Sequence, residues 1–390
     1  MRTIQTIAFI VLAGLLLVLG CDKPFDTAQL PPDLKSTKIG DTNYVEIMPP
    51  WGGFEEPNAI LVGNDGLVYV ADHARNEIVM MDIGGTVLAR RHILHPTAIA
   101  QSLKLDLYIG AEALAPNKRD TMGIIYKISL VRFDTVNVDT VIDPFTHDTT
   151  YEDRDTAIFY NNNLAGAPGR VVWQEIDHPN RRFPGIGVLP DNGFLAARMG
   201  PDNSSFVDPD TRVLRFDNTD YMVTSLPDLA TPQTIATGIT DINQLTGLTT
   251  LPRSRDFILL QSSNGASYCV IWMFYQKDAN FEGWLPKYNP LKNPADIISY
   301  VRFRNPTQVS IDRRRGDIFI VDSELDSVVK FDRVGRFRTE SFGKTKTSGL
   351  LRGLNHPRGV AFSTDCTLYV CDTGNKLIRR FKISSQTQCY

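Results

Sequence analysis

The sequence is poor in the residues and motifs that usually mark a catalytic or metal centre. Its 390 residues include only six histidines and five cysteines. No cysteine spacing is typical of a zinc site, and neither a G-x-S-x-G nucleophile motif nor a glycine-rich phosphate loop is present. The formal net charge is −3, so positive charge is not in surplus. We therefore expect no nucleic-acid partner, since proteins that bind nucleic acids usually carry a surplus or a patch of basic residues.

The apolar segment near the start of the sequence is too short to span a membrane as a helix. Residues 7–20 are apolar and follow Arg2, which makes the run 14 residues long. A membrane-spanning helix needs roughly 20 apolar residues. A secretory signal needs a short charged start and an apolar stretch of about 7–15 residues. Residues 1–20 are therefore predicted to be a signal peptide.

The residues that end this run, Val18-Leu19-Gly20-Cys21, resemble the lipobox of bacterial lipoproteins. In that family the signal is cut just before the cysteine, and its thiol carries diacylglycerol. The resemblance implies a lipid on Cys21 and a place in the cell envelope, on the periplasmic or surface side of either membrane. The alternative is an ordinary signal with a cysteine at its end by chance. Residues 21–42 have little periodicity and are interpreted as the tether.

Short strand signals dominate from Tyr44 onward, and they repeat. Each clear repeat has a proline, an apolar strand, a polar turn and a second strand that ends in aspartate. These repeats lie at residues 57–72 (PNAILVGNDGLVYVAD), 306–322 (PTQVSIDRRRGDIFIVD) and 357–372 (PRGVAFSTDCTLYVCD). Weaker copies begin at residues 96, 184 and 245, which gives six units. Repeated strand units of this length predict an all-β ring of small sheets, because one sheet cannot bury its own faces.

This repeat pattern resembles the NHL-repeat family, within the NHL/TolB-like class of six-bladed β-propellers. The resemblance implies a propeller over residues 43–386, with residues 387–390 as a C-terminal tail. The sixth unit has no fourth strand of its own. We therefore predict that residues 43–49 supply the outer strand of the last blade and close the ring, which removes an open sheet edge.

The cysteines after Cys21 allow three complete pairings. In a propeller blade, the turn after strand one and the end of strand three lie on the same face. Cys366 and Cys389 occupy these positions, so a disulfide between them is predicted to pin the tail. Cys269 and Cys371 lie among apolar residues and are interpreted as buried thiols.

A candidate binding site lies where the inner strands begin, at the mouth of the central channel. Glu56, His95, Asn305 and His356 hold that position in four units. The family resemblance also implies a divalent cation, since some NHL-type lyases bind zinc there and propeller lactonases bind calcium. His95 and His356 are weak candidates for metal ligands, because a catalytic zinc site needs three protein ligands. No residue is assigned a catalytic role.

The remaining polar features are assigned structural roles. The aspartates that end each second strand suit capping of turn amides. The runs RSR at 253–255 and RRR at 313–315 are interpreted as solvated turns, and residues 134–155 as an extended hairpin. The preferred function is that of a membrane-anchored module that binds or scaffolds a protein or small ligand. The alternative is a metal-dependent propeller enzyme of the lyase or lactonase type.

Overall fold

The computed structural model describes residues 43–142, 149–159, 164–232, 235–343 and 353–384. Within these ranges the chain is nearly all β, apart from two short 3-10 helices, Asp296–Ile298 and Thr373–Asn375. Six four-stranded antiparallel sheets form the blades of a β-propeller, and one further sheet has two strands. The predicted fold class is confirmed.

Strand β1 (Tyr44–Trp51) precedes the first blade. The blades are given below from the innermost to the outermost strand. Blade 1 contains β2 (Pro57–Val62), β3 (Val68–Asp72), β4 (Glu77–Met81) and β5 (Val87–His92). Blade 2 contains β6 (Ala98–Gln101), β7 (Asp106–Leu114), β8 (Thr121–Ser129) and β11 (Gly169–Gln174). Strands β9 (Val131–Ile142) and β10 (Thr149–Phe159) form a separate two-stranded sheet that is inserted between β8 and β11. Blade 3 contains β12 (Arg182–Val188), β13 (Phe194–Met199), β14 (Arg212–Phe216) and β15 (Met222–Ser225).

The other three blades repeat this order. Blade 4 contains β16 (Leu245–Thr250), β17 (Phe257–Gln261), β18 (Val270–Lys277) and β19 (Glu282–Pro286). Blade 5 contains β20 (Pro306–Ile311), β21 (Ile318–Asp322), β22 (Ser327–Phe331) and β23 (Phe337–Phe342). Blade 6 contains β24 (Gly359–Phe362), β25 (Leu368–Asp372), β26 (Leu377–Ile383) and finally β1.

The second strand of each blade is the most deeply packed. Every residue of β3, β17, β21 and β25 is buried. These strands have a partner on each edge and a neighbouring blade on each face, so both faces carry apolar side chains. By contrast, the outermost strand β5 has no fully buried residue. The core is therefore a set of apolar layers between adjacent blades.

The repeated aspartates cap backbone amides, as predicted. Asp72 accepts hydrogen bonds from the backbone N–H groups of Glu55 and Glu56, at 2.9 and 2.8 Å. Asp322 and Asp372 take the same role in blades 5 and 6. All three side chains are fully buried. Each carboxylate therefore fixes the segment that leads into the inner strand of its own blade.

The ring is closed by the two ends of the propeller. Strand β1 pairs antiparallel with β26, with Tyr44 opposite Ile383 and Trp51 opposite Ile378. The predicted closing strand is thus confirmed. A buried ion pair reinforces it, because Arg379 Nε and Nη2 donate to the two carboxylate oxygens of Glu46 at 2.7 and 2.5 Å. Both side chains are less than 5% exposed.

Two further sequence expectations concern the insertion and the cysteines. Residues 134–142 and 149–155 lie in β9 and β10, which pair antiparallel as expected for a hairpin. Cys269 and Cys371 are buried and free. Burial raises the pKa of Cys269 to about 11 and that of Cys371 well above its usual value. Cys366 is disulfide-bonded. Cys389 lies outside the described residues, as does Cys21, so the Cys366–Cys389 pairing remains a prediction.

No helix in the described part of the chain has the length and apolar character needed to cross a membrane.

We call the pairing of β1 with β26, together with the Glu46–Arg379 ion pair, the clasp. Its role can be tested by removing the carboxylate of Glu46. Glu46→Ala removes the partner of Nε and Nη2 of Arg379, and leaves Nη1 with its contacts to Asp372 at 3.1 Å and to Gly353 O at 3.3 Å. We expect a loss of about 3 kcal/mol in the free energy of unfolding, because removing one partner of a buried ion pair leaves the other charge buried and uncompensated. Urea unfolding measures it.

The matched control is Glu55→Ala, which removes an exposed carboxylate 3.9 Å from Arg75. We expect that variant to change the free energy of unfolding by less than about 0.5 kcal/mol. Equal effects of the two substitutions would contradict a special role for the clasp.

Candidate functional site

The inner strands β2, β6, β12, β16, β20 and β24 contact one another in a ring around the central channel. All six run in the same direction. We call the face where they begin the upper face, and the face where they end the lower face. The predicted site residues lie at the upper face, just before the inner strands.

His95 and His356 hold equivalent positions, as the sequence suggested. Each directly precedes an inner-strand segment and has a left-handed backbone, with φ of 42° and 47°. Gln244 holds the same place in blade 4, with φ of 49°. A non-glycine residue in this region is uncommon, so the shared conformation reflects the repeat rather than local chance.

The side chain of His95 belongs to a small polar cluster. Its Nδ1 lies 3.2 Å from Glu112 Oε2, and its ring stacks on His73 at 4.8 Å between ring centroids. Arg182 Nε donates to the other oxygen of Glu112 at 2.9 Å. Sequence reasoning missed His73, Glu112 and Arg182. Glu112 had one signal, because it follows the Gly110-Ala111 pair that replaces the repeat's aspartate.

The charges of this cluster follow from its burial and contacts. Burial lowers the pKa of His73, and the nearby carboxylate of Glu56 only partly opposes this effect. Burial alone would raise the pKa of Glu112, but hydrogen bonds from Thr121, His95 and Arg182 outweigh it and hold that pKa below its usual value. The cluster therefore favours a neutral His73 beside an ionised Glu112.

The other predicted residues have separate partners. Glu56 lies 3.5 Å from Arg358, and Asn305 donates to Ser323 Oγ at 2.9 Å. His356 is 71% exposed and its Nδ1 lies 2.9 Å from Asn355 Oδ1. The upper face thus links Glu56 and His95 through His73, but it does not bring all four residues into one site.

The upper face does not suit a divalent cation. Among the described residues, no group of three or more His, Cys, Asp or Glu side chains is placed to hold a metal. The guanidinium of Arg182 also occupies one oxygen of Glu112, so positive charge already lies where a cation would bind.

A second candidate site lies at the other end of the channel. A cavity of about 610 Å³ occupies the lower half and opens between the turns that follow the inner strands. Most of its wall is apolar. The apolar lining includes Ile60, Val62, Ile99, Val188, Leu189, Val309, Ile311, Val360 and Phe362. Its volume is typical of a site for a small organic ligand.

Side chains from other blades satisfy the open inner edges of the sheets. The amide of Gln308 donates to Ile60 O at 2.8 Å and accepts from the N–H groups of Ile60 and Val360. Thr250 Oγ1 donates to Val188 O at 2.6 Å. Because these backbone groups are paired, the cavity wall offers few free backbone donors and acceptors to a ligand.

Both ends of the propeller chain lie on the lower face. The N–H of Ser384 donates to Asn43 O at 2.8 Å. Lys382 lies 3.6 Å from Asp365, which belongs to the turn after β24. Strand β1 therefore begins on the side where the cavity opens.

No protein-family model matches the chain, and no curated protein matches it by sequence. Solved structures do match it. An auxiliary nutrient binding protein from Bacteroides thetaiotaomicron has a TM-score of 0.56 and 11% identity, over 88% of this chain and 77% of that chain. A gluconolactonase-like protein has a TM-score of 0.52 and 10% identity, over 90% and 96%. A luciferin-regenerating enzyme has a TM-score of 0.52 and 11% identity, over 90% and 99%.

At these identities the likeness shows the fold alone. The neighbours belong to the NHL, SMP-30 and gluconolactonase-like class of propellers, and they include both binding proteins and enzymes.

The half-buried His73 predicts a pH-dependent stability. Its folded pKa lies below the value of about 6.5 in the unfolded chain, so its contribution is complete above about pH 6.5 and is lost as pH falls from there through the lower folded pKa. We expect His73→Gln to reduce the loss of unfolding free energy between about pH 7.5 and 5.5, by at most about 1.4 kcal/mol per pH unit. Urea unfolding at each pH measures this.

The control is His356→Gln, which removes a histidine that is largely in solvent. A His73→Gln profile that runs parallel to the wild-type profile would refute the assignment.

Proposed function

We propose that this chain is an NHL-type propeller of the cell envelope, anchored by a lipid on Cys21, that binds a small ligand in the lower cavity. The observation that carries the proposal is the preformed apolar cavity of about 610 Å³ inside the ring. The upper-face residues, in contrast, are engaged with one another or are widely exposed. A binding role is therefore favoured over catalysis at the upper face.

The cavity is suited to hold an apolar group. Its wall is formed by the ends of six inner strands, which are fixed by the surrounding blades. A ligand that buries roughly 200 Å² of apolar surface gains about 5 kcal/mol, before the cost of ordering it is subtracted. A rigid wall keeps that cost low, because little of the protein has to reorganise.

The neighbours are compatible with this function. One of them is described as a nutrient binding protein, so a propeller of this shape serves binding there. The support for export and anchoring comes from the sequence alone, namely the apolar run of residues 7–20 and the lipobox-like Val18–Cys21. Several acyl chains on one cysteine give a firm anchor, at about 0.8 kcal/mol per buried methylene.

A cavity-filling substitution tests the site. We expect Val188→Trp, on the cavity wall, to weaken the binding of tritiated 1-decanol at least about tenfold, because the indole takes the ligand's volume. The full chain is immobilised on resin, and the bound label is counted in detergent-free buffer.

The matched control is Val223→Trp, which places the same side chain on the exposed outer strand of the same blade. That variant should bind 1-decanol like the wild type. A wild-type chain that binds no 1-decanol, or equal binding by both variants, would refute the cavity as the site.

The anchor is tested by Cys21→Ser. We expect the variant to keep the far-ultraviolet β spectrum and the thermal midpoint of the wild type but to leave the membrane fraction, since the acyl chains provide the attachment. The measurement is sedimentation of membranes followed by immunoblotting. A variant that still sediments with lipid would contradict the proposal.

A further inference from the structure

The charges that line the lower cavity are all of one sign. Among its described lining residues, only Arg253 and Arg313 are charged, and neither Asp nor Glu contributes. Both arginines lie in the turns that follow the inner strands of two adjacent blades, at the mouth of the cavity. Each comes from one of the basic runs that the sequence predicted to be solvated turns. The ring brings the two runs to one opening.

We propose that the cavity binds an apolar molecule with an anionic head, of the alkyl carboxylate or alkyl phosphate class. This inference rests on the proposed function, because it concerns the same cavity. The apolar chain would lie against the inner strands, and the anionic head would meet Arg253 and Arg313 at the mouth.

Neither arginine is neutralised by the protein. Arg313 donates through Nη1 to the amide oxygen of Asn64, which carries no charge. Within the described residues, no carboxylate lies within 4.0 Å of the guanidinium of Arg253 or Arg313. Arg255 provides the contrast, since it lies two residues from Arg253 and pairs with Asp191 at 2.7 Å. The structure thus neutralises the arginine beside the mouth and leaves the two at the mouth available.

The chemistry of the guanidinium favours this class of ligand. Its planar N–H groups match the two oxygens of a carboxylate or phosphate and remain charged at any physiological pH. A cationic head would meet two positive charges and no compensating carboxylate. A neutral alcohol of the same length would gain the apolar contacts but lose the charge-assisted hydrogen bonds.

Four probes with the same ten-carbon chain test the proposal: decanoate, decyl phosphate, 1-decanol and decyltrimethylammonium. The full immobilised chain is incubated with each probe below its micelle concentration, at low and at high salt. We expect at least one of the two anions to bind about tenfold or more tightly than 1-decanol at low salt, and the cation to bind more weakly. Which anion binds more tightly identifies the head group.

The arginines are tested by the double variant Arg253→Gln, Arg313→Gln. Its affinity for the preferred anion should fall to that of 1-decanol, while its affinity for 1-decanol should stay within about twofold, since the apolar contacts remain. The control is Arg333→Gln, an exposed arginine in a turn of blade 5 that does not line the cavity. That variant should keep the preference for the anion.

The outcomes separate the two proposals. If both anions bind no more tightly than 1-decanol, or if the double variant keeps the preference, the anionic class is refuted while the cavity still stands. If no probe binds, both the cavity site and its ligand class are refuted. If an anion binds but the Val188→Trp variant binds it equally well, the arginines act at the surface and the inference is overturned.

Discussion

Every blade of this ring depends on the pairing of β1 with β26. Each sheet buries its two faces against its neighbours, so a missing outer strand in blade 6 would leave an open edge beside two apolar layers. The buried Glu46–Arg379 pair lies in this seam. Such a pair adds little net stability over apolar packing, but it is costly to break and it specifies which strand fits. Closure and register are therefore set together.

The closed ring in turn determines the character of the channel. The inner strands present open edges to the axis, and side chains such as Gln308 and Thr250 satisfy them from other blades. These bonds leave the lower cavity apolar, with charge only at its mouth. The upper face has the opposite character, because polar side chains such as His95, Glu112 and Arg182 pair with one another there.

The sequence predicted the fold well because the fold is repetitive. The proline-to-aspartate spacing located the inner strands, and the missing fourth strand in the last unit pointed to residues 43–49. The site was predicted less well, because its partners come from different blades. In the sequence, Arg253 and Arg313 belong to two separate predicted turns. In the structure, both turns lie at the mouth of the lower cavity. The sequence of blade 3 did not predict its buried ion-pair network. In that network Arg181 and Arg198 pair with Glu175, in place of the capping aspartate.

The clasp also has a consequence for how the protein is made. Tyr44 is among the first residues of the propeller to be synthesised, and its partner Ile383 is among the last. Contacts between such distant parts of a chain form slowly, and β1 has no partner strand until β26 has been synthesised. A chain that stops before β26 would leave the edge of β1 unpaired. The closed ring is therefore open only to chains that extend through the last blade.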